Sequence, residues 1–146
     1  SCKIYKIFMR RLRQENMEIT KIKPAFEDER GSIWDFLTDE IIHHVGFLVS
    51  KKGAIRGKHF HKEQKQYTLV QNGKIKVTVK NLQDNNSVVE TKELNKMDMV
   101  FFPPYMYHSI EALEDSECLI FTSKSRKGSG YEEDTFRVQN IDSFNL

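Results

Sequence analysis

The chain is expected to be all-β, and three observations lead there. Turn-forming residues break the sequence at short, even intervals, and from Ile19 onward no 3.6-residue apolar period persists over helical length. The clearest segment, Lys74-Ile75-Lys76-Val77-Thr78-Val79-Lys80, alternates apolar and polar residues as a strand with one buried face does. Many short strands at even spacing suggest a sandwich or barrel.

Taken in order, Trp34 and Phe36 flank Asp35 with strand-like alternation, so both are expected to pack in the core. Val45-Gly46-Phe47-Leu48-Val49 is an apolar strand, and the adjacent His43 and His44 before it read as structural or exposed. Asn72-Gly73 predicts a type I′ hairpin turn into the strand at 74–80. Asp84-Asn85-Asn86 predicts a second hairpin, leading to a strand from Ser87 to Leu94, and a turn at Asn95 leads into Met99-Val100-Phe101-Phe102. A further strand begins near Tyr107, and Cys118-Leu119-Ile120-Phe121-Thr122 supplies another. Lys124 to Gly130 reads as a basic, flexible loop. The charge run Glu132-Glu133-Asp134 reads as solvated, with Asp134 and Arg137 placed to pair locally.

With 146 residues the chain suits one domain with one core. No apolar run approaches the roughly 18 residues that span a bilayer, and the start lacks the apolar core of a secretory signal, so a cytoplasmic location is expected. Cys2 and Cys118 are too few and too far apart for a zinc cluster, and reduced thiols are expected. Of 23 Lys and Arg and 21 acidic residues, residues 1–16 hold Lys3, Lys6, Arg10, Arg11 and Arg13 against Glu15 alone, leaving 18 basic against 20 acidic beyond them. Residues 1–16 therefore read as an appendage, a targeting arm or an exchanged strand. Met17 is a plausible start for the domain at 17–146. That body lacks the basic footprint of a nucleic-acid binder.

His59 and His61, one residue apart on a strand, must point the same way and place two imidazoles on one wall. His108 follows Phe101-Phe102-Pro103-Pro104-Tyr105-Met106-Tyr107, and an antiparallel barrel can fold it back beside them. Three imidazoles are able to hold Zn, Fe or Ni. A functional site usually adds a carboxylate, however, and position 66 is an amide, so no metal is expected; if one binds, His59, His61 and His108 hold it. Tyr67, Tyr105 and Tyr107 are candidate proton donors or stacking groups, of which Tyr107 is carried forward, although barrel aromatics are more often core.

The spacing Gly53, His59, His61, Gln66, Gly73 resembles the first signature of the cupin superfamily, with glutamine in place of the usual glutamate. Pro103 through His108 looks like the second, with Met97 and Tyr105 where that pattern has glycines and Ala112 where it has asparagine. More closely, Arg56-Gly57-Lys58-His59-Phe60-His61-Lys62, Gln66, Leu69-Val70 and Asn72-Gly73 resemble the motif of cupin sugar-nucleotide 3,4-ketoisomerases. The likeness covers residues 19–146, including Asp28-Glu29-Arg30-Gly31, Tyr131 and Asp134-Thr135-Phe136-Arg137. It implies a single-domain jelly-roll β-barrel, a dTDP-linked 4-keto-6-deoxyhexose as substrate, and a homodimer. An exchanged N-terminal strand would protect an open sheet edge. Related cupin 3,5-epimerases share the Asp-x-Arg-Gly and Arg-Gly-x-His elements.

The chemistry agrees with that resemblance. A C4 ketone acidifies the C3 proton, and histidine titrates near neutrality, so it can remove that proton to give an enediolate. Returning a proton to C4 moves the ketone; returning it to the other face of C3 epimerises the centre. Neither outcome requires a cofactor. The resemblance assigns His59 as base and His61 as the partner that relays a proton or polarises the sugar oxygens. Gln66 is able to donate to the oxyanion without adding charge. Arg56 matches the family's arginine and suits a bidentate phosphate contact, but strict alternation turns it away from His59 unless a bulge intervenes. Outside this class stand a metal-dependent cupin and a non-catalytic sugar-binding cupin.

Overall fold

The computed structural model describes residues 17–146; the expectations for residues 1–16 and Cys2 lie outside that range. Twelve strands follow one another: β1 (Glu18–Lys21), β2 (Phe26–Asp28), β3 (Gly31–Ile33), β4 (His44–Ser50), β5 (Ile55–Phe60), β6 (Gln66–Asn72), β7 (Lys74–Asn81), β8 (Glu90–Asn95), β9 (Asp98–Phe102), β10 (Met106–Ala112), β11 (Ser116–Thr122) and β12 (Phe136–Arg137). One helical turn, α1 (Gly130–Glu133), precedes β12. Two five-stranded sheets face each other, ordered β1-β9-β6-β11-β4 and β12-β5-β10-β7-β8, and every pairing is antiparallel. The jelly-roll expectation holds. No helix among the described residues is long and apolar enough to cross a membrane.

Strand β7 shows why the sequence folds this way. Ile75, Val77 and Val79 are essentially inaccessible and meet Val70, Leu94, Val100, Phe102, Met106, Ile110 and Cys118 between the sheets. Burying each such side chain contributes about 1.5–3 kcal/mol, enough to fix the register, since a one-residue slip would put the lysines inside. Phe60, Tyr107 and Val138 form a second cluster with Tyr105, Phe136, Ile141 and Phe144, covering the outer face of the β5–β10 sheet with the C-terminal segment.

Several local expectations change. Asn72-Gly73 is not a hairpin turn: β6 and β7 belong to different sheets, so Gly73 is the corner where the chain crosses between them. Its φ is +86°, and a Cβ there would come within 2.5 Å of the Asp115 carbonyl oxygen, so backbone crowding selects the glycine. The β7–β8 hairpin at residues 82–89 does form, with β8 starting at Glu90 rather than Ser87 because Asp84 closes the loop through its carboxylate and carbonyl on Asn86 and Ser87. Trp34 and Phe36 are not core. They lie outside any strand, half-buried along a shallow surface groove, with Phe36 against Phe121 and the indole N–H donating to Ser32.

Met97 and Tyr105, the two residues standing where the resembled pattern has glycine, both adopt left-handed backbone, at φ +70° and +62°. Hydrogen bonds hold each there: Met97 N–H donates to Val70 O, and Tyr105 N–H to His61 O. A non-glycine residue pays about 1–2 kcal/mol in that region. Met97→Gly is therefore expected to stabilise the domain by about 0.5–1 kcal/mol after the added unfolded-state entropy, raising Tm by about 2–4 °C. A fall in Tm would show that packing of the Met97 side chain outweighs the strain.

Candidate active site

The site is built on the pairing of β5 with β10. His108 lies opposite His59, whereas Ser109 pairs with Gly57 and Ile110 with Arg56, so Lys58 is an extra residue in β5. Gly57 and Lys58 carry it with φ of +87° and +54°, and a Cβ on Gly57 would come within 2.8 Å of the His108 carbonyl oxygen. Because Ile110 and His108 share a face, Arg56 and His59 share one as well, although three residues apart. The bulge that Arg56 needs is present.

Phe60 points outward into the aromatic cluster, leaving His59 and His61 to point inward beside His108. Their ring centroids are 4.8 Å (His59–His61), 4.7 Å (His59–His108) and 5.4 Å (His61–His108) apart. Phe102 stacks flat on His108 at 4.2 Å. His61 Nδ1 donates to the Asp134 carbonyl at 2.7 Å and His108 Nδ1 to the Met106 carbonyl at 3.1 Å, because a carbonyl can only accept. Both rings thereby keep a bare Nε2, and both Nε2 atoms are buried without a partner. Two acceptors are thus left unpaired inside the barrel.

Asp134 is buried, contrary to the solvated expectation. Its carboxylate accepts the backbone N–H groups of Lys62, Glu63 and Gln64 at 2.9–3.2 Å, tying the β5–β6 turn to the segment that holds His61. Arg137 pairs instead with Glu132, through two contacts of 3.1 Å.

His59 and His108 open onto a cavity of about 570 Å³ that Gln66, Arg56, Arg126, Arg137, Tyr131 and His44 also line, among others, whereas His61 is buried behind His59 and does not line it. Gln66 faces it, with its amide donating to Thr68 at 3.2 Å. Arg56 reaches back to Ser50 Oγ and Val49 O. Tyr107 is a correction: alternation along β10 turns it to the outer cluster, opposite His108, so it does not reach the cavity. His44 corrects the other way, facing the cavity. Sequence reasoning missed Arg126 and placed Tyr131 in the resembled pattern without a role in the site; the Arg126 guanidinium lies 4.2 Å over the Tyr131 ring, which stands 6.3 Å from His59 and 6.0 Å from His61. The signal for Arg126 was hidden in a loop read as merely basic.

Burial, then the neighbouring His61 and the Arg137 and Arg126 guanidinium groups, pushes His59 down to about 4. Burial also lowers His61 and drives His108 far down. All three imidazoles are neutral near pH 7. A metal ion is chemically compatible with the cluster: one nitrogen from each ring lies within 4.8 Å of the others, and the unpartnered Nε2 atoms are free to ligate. The fourth, carboxylate position of such sites is filled by the Gln66 amide, a weak ligand for Zn or Fe.

The fold defines the class: an antiparallel jelly-roll barrel with an inward histidine cluster. The chain belongs to the polysaccharide biosynthesis C-terminal domain family, whose model matches residues 26–136. No curated protein matches it by sequence. Among solved structures it resembles dTDP-4-dehydrorhamnose 3,5-epimerase from Sulfolobus tokodaii (20% identity, 92% of this chain and 82% of that one, TM-score 0.69). It also resembles the 3,4-ketoisomerase QdtA from Thermoanaerobacterium thermosaccharolyticum, a double mutant in complex with TDP (24%, 88% and 90%, 0.66). A third is the TDP-quinovose 3,4-ketoisomerase WlaRB from Campylobacter jejuni (18%, 88% and 95%, 0.69).

The neutral cluster makes stability depend on pH with a definite sign. Between 6.5 and about 4 an unfolded His59 binds a proton that the folded one does not, so stability falls as pH drops through that window, by on the order of 3 kcal/mol for His59 at pH 4. Thermal melts are expected to decline steadily from pH 7 to pH 5. A midpoint that stays flat there would show the rings to be charged in the native state.

Proposed function

We propose that this protein is a sugar-nucleotide isomerase that moves the ketone of a nucleotide-linked 4-keto-6-deoxy sugar between C4 and C3. The observation that carries the reading is a buried, neutral histidine cluster opening directly onto an arginine-lined cavity. Arg137 is neutralised by Glu132, but no described acidic residue forms a salt bridge with Arg56 or Arg126. The two positive charges left over match the two negative charges of a nucleoside diphosphate ester. The solved relatives with TDP or a TDP-sugar in their descriptions support that ligand class.

In this reading neutral His59, which lines the cavity, removes the C3 proton, and His61, packed behind it at 4.8 Å with its tautomer held by the Asp134 carbonyl, relays that proton. Gln66 meets the charge growing on the C4 oxygen, and Tyr131 closes the site beside both imidazoles. No step needs a metal. A cytoplasmic homodimer completes the proposal, supported by the outward face of edge strand β4, where Val45, Phe47 and Val49 are each more than half exposed. C3 or C5 epimerisation is the alternative on the same substrate, since one base serves both reactions.

Proton NMR of dTDP-4-keto-6-deoxyglucose with the enzyme in D2O tests this directly. A migrated ketone is the expected result; deuterium at C3 with the ketone retained means epimerase, and the absence of both migration and exchange refutes the isomerase reading. His59→Asn is expected to lower exchange by about 10²–10⁴-fold while dTDP binding is kept. Arg56→Ala is expected to weaken dTDP binding by roughly 10–100-fold, read by calorimetry. Activity that disappears on chelation and returns with added Zn²⁺ would favour the metal-dependent reading instead.

A further inference from the structure

We infer that His44 is a second proton-carrying residue of this site, relaying the hydroxyl proton between the two sugar oxygens from the wall opposite His59. The inference rests on the ketosugar reading above. His44 opens β4, in the sheet facing β5 and β10, and the alternating burial of that strand turns His44, Gly46 and Leu48 inward. Register gives its depth. Phe102 pairs with Gln66, Gln66 with Thr122 and Thr122 with His44, so the four residues form one row across the sheet. Phe102 is the residue stacked on His108, which sets the row level with the histidine cluster.

The ring is placed and its tautomer is fixed. A Cβ on Gly46 would lie 2.9 Å from His44 Cε1 and 3.3 Å from Nε2, so the imidazole lies over Gly46 along the inner wall. Thr122 has one hydroxyl proton and donates it to the Lys124 carbonyl at 2.9 Å. Its 3.4 Å contact with His44 Nδ1 therefore requires the imidazole to donate, which leaves Nε2 as a bare acceptor. Arg126 acts electrostatically on His44, His59 and His61 alike, tying the two walls together through one side chain.

That bare nitrogen supplies what ketone migration lacks. His59 carries the carbon-bound proton, breaking C3–H and later forming C4–H. The ketone moves only if the O3–H bond also breaks and an O4–H bond forms. His44 Nε2 takes the O3 proton as the C3 carbonyl forms and returns it to O4, so protons and charge balance without a further reactant. The hydrogen bond that His44 Nδ1 donates to Thr122 Oγ1 keeps the ring in place through the transfer.

His44→Gln and Gly46→Ala, with dTDP-4-keto-6-deoxyglucose in D2O, separate this step from the first. His44→Gln is expected to keep deuterium uptake at C3 within about threefold of wild type while ketone migration falls by about 10²–10⁴-fold. Gly46→Ala, which displaces the ring without removing it, is expected to slow migration less and also to spare exchange. Wild-type migration in His44→Gln overturns the inference, as does a parallel loss of exchange, migration and dTDP binding, which marks a structural role. Wild-type enzyme that shows neither exchange nor migration takes down the ketosugar reading itself and the relay with it.

Discussion

One extra residue in β5 organises the whole site. Without the bulge at Gly57 and Lys58, Arg56 and His59 would face opposite sides of the sheet, and no cavity would hold both that imidazole and that guanidinium. The bulge is enforced by backbone crowding: only a glycine fits against the His108 carbonyl. His108 reaches the cluster through the same pairing, so the close approach of β5 to β10 sets both the ring geometry and the placing of Arg56 on the cavity side.

The cluster has a cost that the barrel bears elsewhere. Three imidazoles, two of them with unpartnered Nε2 atoms, are buried where aliphatic packing would have been more favourable. Stability comes from the apolar layer between β7, β6 and β9 and from the aromatic layer around Phe60, which holds the outer face of β5 while its inner face is left polar. Keeping the rings neutral is what makes this tolerable. Arginines beside neutral imidazoles add no charge pair that needs compensation, and they depress the rings further toward the basic, proton-accepting form.

How much of this was legible in the chain depended on the range of the interactions involved. Period-2 patterning exposed β7, and the His-x-His spacing exposed the shared face of His59 and His61, because both are local consequences of strand geometry. Asn72-Gly73 misled, since a positive-φ glycine serves a corner between sheets as well as a hairpin, and sequence carries no mark of which sheet follows. Tyr107 was misplaced for want of the register that sends it to the outer face. His44, Arg126 and Asp134 were undervalued for a common reason: each acts across 60 or more positions, His44 through Thr122, Arg126 toward His59 and Asp134 through the turn after His61.

Asp134 has a consequence for how the interior and the site depend on the end of the chain. The segment that follows β11 adds little to the layer between the sheets, yet it carries the carboxylate that shapes the 62–64 turn and the carbonyl that sets the His61 proton. The apolar layer between the sheets is complete without that segment, whereas the His61 proton and the 62–64 turn are set only where it is in place.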